Sequence, residues 1–599
     1  MRLSDFVIDF ITTLGVNDIF LVSGGGNMHL IDAVGRNKNV RYICNHHEQA
    51  CTVAAEGYAR LKNDIGVAIV TTGPGGTNAL SGVAGAWLDS IPMLVISGQV
   101  KLADTIYANN TALRQFGDQE LNIIDLVKPI TKYSVMITDK NTIKYHLGKA
   151  VYLAKTGRPG PVWIDIPLDI QALDIDPYIL EGFDTPLDET NNLLAGQMEQ
   201  VMALLANSER PLIIAGNGIR LSHGENEFLH LLNELKIPVV TAINGNDLVN
   251  DDYEFYTGRT NIMGHRGANF AVQNSDLIIS IGSRLCLRQV SFNYENFARE
   301  AKIIMVDVDD AELSKKSLKL NIAIKSDAKV FIESFLQLLS FNKIKLNIDE
   351  WRMKCVNWNK TFNGLDPEHI EPSDYVNSYY FVSKLSNYLT EHDHVITSNG
   401  TSNVSTLYSL KLKGKQRLIT NTAFASMGYG LPASIGACIA NNRQQIVCME
   451  NDGSLQMNIQ ELQTIVHYRL PIKLIVFNND GYLSIKLTQS AFFPDNITAS
   501  NPSSGVSCPD LEKIAFAYGI PYVKISHTDE IDIKLEQVFS NKSAYIIEIM
   551  MDPWQNLVPK TSSKKKPDGK MISKPIEDMF PFLPREIFYK EMIIEPIKE

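Results

Sequence analysis

The sequence is short of positive charge: 56 Lys and Arg stand against 67 Asp and Glu, a formal net charge of −11 over 599 residues. A phosphate backbone is bound by clustered Lys and Arg in excess, so a nucleic-acid partner is not expected. No apolar run is long enough to span a bilayer, and no membrane partner is expected either. The first residues, Met1-Arg2-Leu3-Ser4-Asp5 and soon Asp9, lack the cationic stretch and apolar core of a secretory signal. Cysteines number seven, at 44, 51, 286, 355, 438, 448 and 508, without a C-x-x-C pair. An odd, scattered set of this kind suits reduced thiols in the cytoplasm better than a disulfide or zinc framework. Short-period repeats and low-complexity tracts are also missing. What remains is ordinary globular composition, 45% hydrophobic and 21% charged, on a chain long enough for about three or four domains. Small molecules are the expected ligands.

Short, β-branched apolar runs recur between helical stretches: Val67–Thr71, Met93–Ser97, Val162–Ile166, Leu212–Ala215, Leu277–Ile281, Ile303–Val308, Ile446–Met449, Lys473–Phe477 and Tyr545–Ile549. Continuous apolar strands are buried on both faces, which implies parallel sheets covered by helices and an α/β fold. Two stretches break the rhythm. Asp174 to Asn192 is acidic and contains Pro, and Phe341 to Asp374 is polar and weakly periodic; both read as linkers. The chain thus divides into units at 1–172, 190–342 and 370–555, followed by a tail at 556–599. Within that tail Lys564-Lys565-Lys566 reads as a solvated loop.

In the third unit Glu450-Asn451-Asp452-Gly453-Ser454 follows one strand, and Asn478-Asn479-Asp480-Gly481 follows the next, with Gln460–Tyr468 as the crossover helix. Ligands of open parallel sheets bind beyond the carboxyl ends of strands. A hard Mg2+ ion takes carboxylate, amide and backbone oxygens together with diphosphate oxygens; Asp452, Asn479 and the carbonyl near Gly481 can supply the protein's share. Gly453 lets the backbone approach phosphates, and Ser454 offers donors near a helix start. An Asp-Gly after a strand is more often only a turn. It is the pairing of the two segments that carries weight.

These residues resemble the fingerprint of thiamine-diphosphate enzymes, with Asp452-Gly453-Ser454 followed by Asn478-Asn479. Asn451 departs from the family's first Gly, and Asn tolerates unusual backbone angles. The resemblance implies three doubly wound parallel-sheet domains: pyrimidine-binding, central Rossmann-like and diphosphate-binding. It also implies an activating carboxylate. The cofactor's aminopyrimidine deprotonates the thiazolium once a carboxylic acid bonds its N1′, and a poorly solvated Glu does that best. Glu48, in Cys44-Asn45-His46-His47-Glu48-Gln49-Ala50, stands at the matching position.

Further segments resemble the acetolactate synthase branch: Thr72-Gly73-Pro74-Gly75-Gly76-Thr77-Asn78, Trp87-Leu88-Asp89-Ser90-Ile91-Pro92, and Gly157-Arg158-Pro159-Gly160. By this resemblance Gln119 is the active-site Gln, Gly75 and Asn78 lie at the cofactor, and Gly25 belongs to a glycine loop beside the thiazolium, followed by His29 as a candidate proton shuttle. In Thr422-Ala423-Phe424-Ala425-Ser426-Met427-Gly428 the Ala425 carbonyl would meet the 4′-amino group, while Met427 props the cofactor bent. Tyr482 is a further cofactor contact. The family assembles each site from two subunits, so a homodimer or homotetramer is implied.

Gly216-Asn217-Gly218 after a strand, with Asp307 at a later strand end, has the parts of a dinucleotide-binding unit without a full G-x-G-x-x-G. In the acetolactate synthase branch this unit holds FAD without using its redox chemistry, and Arg284 and Arg288 resemble the flavin-side pair; FAD is expected. Where that branch carries an acceptor-selecting Trp, this chain has Thr488, and the smaller side chain predicts a roomier pocket. That segment and the ending Pro575-Ile576-Glu577-Asp578-Met579-Phe580-Pro581 resemble carboligases of surface-polysaccharide pathways, of the yersiniose type. The expected reaction joins the two-carbon unit of a 2-keto acid, pyruvate, to a bulky carbonyl acceptor such as a nucleotide-linked 4-keto-deoxysugar, over which the basic tail closes. Two alternatives are a biosynthetic acetolactate synthase using two pyruvates and a non-catalytic cofactor-binding homologue.

Overall fold

The computed structural model describes residues 1–109, 112–186, 194–371, 373–565 and 571–597. It contains three six-stranded sheets, every pairing in them parallel, each flanked by helices. Across the first sheet run Arg41–Cys44, Asp18–Leu21, Gly66–Val70, Met93–Gln99, Pro161–Pro167 and Tyr133–Met136. The middle sheet runs Ile322–Lys325, Lys302–Asp307, Leu277–Ile281, Pro211–Ala215, Val239–Thr241 and Tyr256–Arg259. The third runs Leu418–Thr420, His394–Thr397, Ile446–Asn451, Ile472–Asn478, Tyr545–Met550 and Tyr522–Ile525. All nine strands read from the sequence are present, and in every sheet they are three consecutive inner strands. No helix among the described residues is long and apolar enough to cross a membrane.

The first and third sheets are joined through two helices of small residues. One is Glu48–Lys62, which starts where the His47 ring nitrogen accepts the Gln49 N–H at 3.1 Å and ends at Asn63 in the left-handed region. Its acidic first turn and basic last turn complement the helix dipole. The other, Gly430–Ala440, lies so close that a Cβ at Gly57 would fall 2.2 Å from the Ala433 carbonyl oxygen, and one at Gly436 only 1.8 Å from that of Ala54. The two sheets consequently share one apolar core, which includes Phe20, Tyr58 and Trp163 from the first and Ile396, Tyr429 and Ile546 from the third. The middle sheet has a core of its own.

Two sequence expectations need correction. The stretch read as a linker from Phe341 contains a 14-residue helix, Asp349–Phe362, whose Trp351, Cys355 and Trp358 are buried in the middle core. Their spacing of four and three residues is a helical stripe that the polar surroundings masked. The tail is not a loose loop. Ser563–Lys565 pairs with Met571–Ser573 in an antiparallel hairpin, and Lys566 lies outside the described residues. Beyond the hairpin the chain fastens onto the middle domain: Arg266 donates to the carbonyls of Met579 at 2.9 Å and Pro581 at 2.7 Å, and Arg299 pairs with Glu577 at 2.8 Å. Ile576 and Phe588 complete the middle core.

Buried charges lock the three sheets together. Arg60 pairs with Glu56 at 2.8 Å and with Asp89 at 2.5 Å, and Asp89 accepts from Asn244 at 2.8 Å. Arg417 donates to the Arg60 carbonyl at 2.9 Å and pairs at 2.7 Å with Asp247, which also takes Arg220 at 2.9 Å. Burial opposes the charge on Asp247, yet the two guanidinium groups hold its carboxyl down at about 2.

Candidate functional site

The third sheet brings its loops together at the carboxyl ends of its strands. Asp452 opens a short helix and is buried, with one carboxylate oxygen accepting the Gly453 N–H and the other the Gly481 N–H, each at 2.9 Å. Burial pushes its carboxyl up to about 6, against the pull of those N–H groups and the charge of Lys486. Asn479 is 2% exposed and its side-chain oxygen has no hydrogen-bond partner among the described residues. A buried, unpaired amide oxygen costs free energy unless something bonds it. Beside it, Lys486 donates to the Asn479 carbonyl at 2.8 Å and pins the loop. Gly481, at φ 116°, leaves its carbonyl oxygen 3.3 Å from where a Gly453 Cβ would be. Such a Cβ would also sit 2.5 Å from the Tyr482 ring, so Gly453 is required by close approach. Carboxylate, orphaned amide oxygen and backbone carbonyl form the oxygen set that a hard divalent cation takes.

Asn451 does not occupy a strained turn. Its backbone is extended, at φ −115° and ψ 156°, and its side chain accepts the Ser402 N–H at 3.1 Å while donating to the Asn399 carbonyl at 2.7 Å. The departure from glycine thus adds a brace between two strand ends. Asn399 in turn donates to the Ala425 carbonyl at 3.0 Å. Ala425 is held at φ 55°, a left-handed conformation that a non-glycine residue adopts at a cost, often at functional sites. The Ser454 hydroxyl is committed to protein, accepting the Gly428 N–H at 2.9 Å and lying 2.8 Å from the Ser398 hydroxyl; Asn458 holds the Gly428 carbonyl at 2.8 Å. Gly428 is clamped on both sides, which fixes half-buried Met427 before it. Asn399, Asn458 and Lys486 were not singled out by sequence. Asn399 follows a strand that was itself missed.

A cavity of about 370 Å3 opens here, walled by Asn399, Ala425, Thr488, Phe492, Leu557 and Lys560 among others. Thr488, on the helix Leu483–Phe492, donates its hydroxyl back to the Ser484 carbonyl at 2.9 Å, as a helical Thr commonly does. None of the described residues lining this cavity comes from the first sheet's domain.

The first sheet gathers the other candidates at its own carboxyl ends. Asn78 donates to a Glu48 carboxylate oxygen at 3.0 Å. A Cβ at Gly75 would lie 3.5 Å from the other Glu48 oxygen. Gln119, exposed and at φ 61°, presents its carbonyl to Gly73, where a Cβ would meet it at 2.5 Å. Gly24 and Gly26 pack against Thr71, while Gly25 between them is exposed with open space around it. His29 is half-buried in the helix Met28–Arg36, and its ring makes no hydrogen bond among the described residues. The poorly solvated setting expected of Glu48 is not supplied by one chain: Glu48 is only half-buried.

A second cavity, of about 790 Å3, separates the middle domain from the first. Gly216, Gly218 and Gly282 press backbone against backbone there: a Cβ at Gly216 would fall 2.2 Å from the Gly282 carbonyl oxygen. Arg284, Arg288 and Asp307 line it. Burial raises the Asp307 carboxyl, against the Asp309 N–H that it accepts at 3.0 Å. Arg288 and Thr422 line both cavities.

Comparison with known proteins agrees in extent and order. The models of the thiamine pyrophosphate enzyme N-terminal TPP binding domain, central domain and C-terminal TPP binding domain match residues 1–124, 198–335 and 398–549. The chain is 32% identical over 558 residues to the acetolactate synthase large subunit of Lactococcus lactis subsp. lactis (strain IL1403), covering 93% of both. It is 29% identical over 563 residues to the acetolactate synthase isozyme 2 large subunit of Escherichia coli (strain K12), covering 93% of this chain and 97% of that one. Over 569 residues it is 32% identical to a probable acetolactate synthase large subunit of Methanocaldococcus jannaschii, again covering 93% of both.

Proposed function

Because the chain belongs to the thiamine pyrophosphate (thiamine diphosphate) enzymes, in their acetolactate synthase branch, we propose that it decarboxylates a 2-keto acid, pyruvate, and transfers the two-carbon unit to a bulky carbonyl acceptor. The orphaned Asn479 oxygen carries this reading, since it has no hydrogen-bond partner among the described residues and Asn479 and Asp452 each follow one of two paired strands, with the Asp452 carboxylate tied to the Gly481 N–H. Asp452, Asn479 and Gly481 would hold Mg2+, and with it the cofactor diphosphate over Gly453 and the Ser454 N–H. Tyr482 covers Gly453 from the other side. Bound there, thiamine diphosphate supplies the electron sink for decarboxylation. The Ala425 carbonyl and Met427 would orient its aminopyrimidine, and the Glu48 carboxyl, tethered by Asn78, would share a proton with that ring.

In one chain Glu48 is half-buried and its domain contributes no described residue to the cavity. We therefore assign the complete site to two copies of the chain, as a homodimer or a dimer of dimers, with Gln119, Gly25, Gly75 and His29 arriving beside the cavity with Glu48. The larger cavity fits a flavin dinucleotide: close-packed glycines for the diphosphate, Asp307 for a ribose, and Arg284 and Arg288 for the anionic and ring portions. FAD there would serve as structure rather than as oxidant.

Thr488 supports the bulky acceptor, because a hydroxyethyl-sized side chain leaves its wall of the cavity open. The relatives' name, acetolactate synthase, favours a second pyruvate instead. The deciding experiment is pyruvate-dependent CO2 release by the holoenzyme and by Glu48→Gln, with products from a panel of acceptors read by mass spectrometry. The variant should lose about 10²–10⁴-fold, the usual worth of a proton-transfer group. CO2 release undiminished in Glu48→Gln would remove the mechanism, and acetolactate as sole product would give the second reading its case.

A further inference from the structure

In the first sheet stands a carboxyl to which the proposed reaction gives no part. Asp165, on the strand Pro161–Pro167, is 1% exposed and lies opposite Ser97 in the register with Met93–Gln99. One of its oxygens accepts the Ser97 hydroxyl at 2.5 Å, and the other accepts the Gln99 side-chain N–H at 3.1 Å. Ser97 itself accepts the Trp163 ring N–H at 2.8 Å. These partners are all neutral, and burial pushes the Asp165 carboxyl up to about 7. An apolar side chain there would avoid that desolvation, so packing alone does not account for Asp165. Gln99 carries its effect onward. The Gln99 side-chain nitrogen also donates to the Leu121 carbonyl at 2.9 Å, while its side-chain oxygen accepts the Thr72 hydroxyl at 2.7 Å and the Val100 N–H at 3.0 Å. Turned over, Gln99 would set oxygen against the Leu121 carbonyl and N–H against the Val100 N–H. An acceptor at Asp165 thus fixes the direction of every bond that Gln99 makes.

Both ends of that chain of bonds reach residues of the candidate site. Leu121 follows the left-handed Gln119 by two positions. Between them Glu120 accepts the N–H groups of Ile106, Phe116 and Gly117 at 2.6, 2.8 and 3.0 Å and folds the loop on itself, so the bond from Gln99 to Leu121 fastens that folded loop to the sheet. At the other end the Thr72 carbonyl accepts the Gly75 N–H at 3.2 Å, at the start of the helix Pro74–Asp89. A Cβ at Gly98, next to Gln99, would fall 2.1 Å from the Gly26 carbonyl oxygen, so the glycine loop rests on the same strand. From this arrangement we infer that Asp165 is a positioning residue, which acts through Gln99 to hold Gln119 and the turn from Thr72 to Gly75 beside Glu48. The inference rests on the carboligase reading above and adds a residue to the machinery of its first half-site.

The test compares wild type with Asp165→Asn, each loaded with Mg2+ and thiamine diphosphate, by pyruvate-dependent CO2 release per cofactor retained after gel filtration. The substitution keeps the shape of the side chain but puts an N–H donor where Ser97 or Gln99 now donates, so one of those bonds must be lost. The kcat per retained cofactor should fall about tenfold or more, since a small misplacement of a positioned group has an effect of that order or larger. The Mg2+ concentration for half-activation, which reports on the third sheet, should stay within about twofold of wild type. A merely structural Asp165 would lower the melting temperature and the cofactor retained while leaving kcat per retained cofactor unchanged. A drop smaller than that, or one matched by an equal weakening toward Mg2+, overturns the assignment. Should Asp165→Asn fail to fold, Thr72→Val removes one donor to Gln99 without changing its shape: kcat per retained cofactor should fall about threefold or more, and an unchanged value overturns the assignment equally. Wild-type holoenzyme that releases no CO2 from pyruvate would instead bring down the carboligase reading, and the inference with it.

Discussion

The two halves of the candidate site are built to different degrees of completion within one chain. At the carboxyl ends of the third sheet, Asp452, Asn479 and Gly453 are buried, braced by Asn451, Asn399 and Lys486, and short of a single bonding partner. At the carboxyl ends of the first sheet, Glu48 is half-buried, Gln119 and Gly25 are exposed, and one hydrogen bond, from Asn78, orients the carboxylate. Both halves stand on equivalent parallel sheets and share one apolar core. The difference therefore does not come from the scaffold. On the reading proposed above, it lies in what each half would still take up: a cation for one, a second protein surface for the other.

Mixing two variants tests that contrast most severely. Glu48→Gln and Asp452→Asn should each lose about a thousandfold in pyruvate-dependent CO2 release, taking proton transfer and metal binding as worth several kcal/mol each. If Glu48 of one copy serves Asp452 of another, unfolding and co-refolding the two variants together should restore about a quarter of wild-type activity, because half of randomly paired dimers would hold one intact site. Sites complete within one chain would show no recovery. Next in size is a pair of glycine substitutions. Gly453→Ala pushes a methyl into the Tyr482 ring and should cost about 1–3 kcal/mol in cofactor binding or stability. Gly25→Ala meets open space and should leave the melting temperature of the chain almost unmoved, within about 0.5 kcal/mol. Equal losses in the two would mean that the first half is as tightly built as the second. Thr488→Trp should raise the ratio of kcat/KM for pyruvate over a bulky ketone as acceptor by about 10–200-fold, the span for filling or emptying part of an apolar pocket. An unchanged ratio would detach Thr488 from acceptor choice.

How far the sequence could be read follows the same division. Strands such as Gly66–Val70 and Leu277–Ile281 are buried throughout and announce themselves as nearly continuous apolar runs. The flanking strands are short or alternate, as in Ile322–Lys325 with its exposed Ala323 and Lys325, or the partly exposed Tyr133–Met136, and so gave no such signal. Asp452, Asn479 and Gly481 lie directly after inner strands and were legible with them. Asn399, after the missed strand His394–Thr397, was not. The helix with Trp351, Cys355 and Trp358 hid among polar neighbours. Lys560 escaped because its place depends on contacts made by residues far along the chain, Arg266 with Met579 and Thr561 with Ile262, which no local pattern encodes.

An effect confined to low pH concerns what keeps the two halves in register. Asp247 takes Arg220 from its own domain and Arg417 from the third sheet, and Arg417 reaches the Arg60 carbonyl on the helix that begins at Glu48. Folding depresses the Asp247 carboxyl from its ordinary value of 3.8 to about 2, burial notwithstanding. A depressed carboxyl contributes stability that is present above the unfolded value and is lost as pH falls through the folded one. The window is thus pH 3.8 down to about 2, and the contribution is about 2 kcal/mol. Urea midpoints of wild type and Asp247→Asn, followed from pH 5 to pH 2.5, isolate it from the other carboxylates: the gap between the two should be widest at pH 5 and should narrow toward pH 2.5. A gap that stays constant across that range would mean that the network positions the domains without its charge being part of what stabilises them.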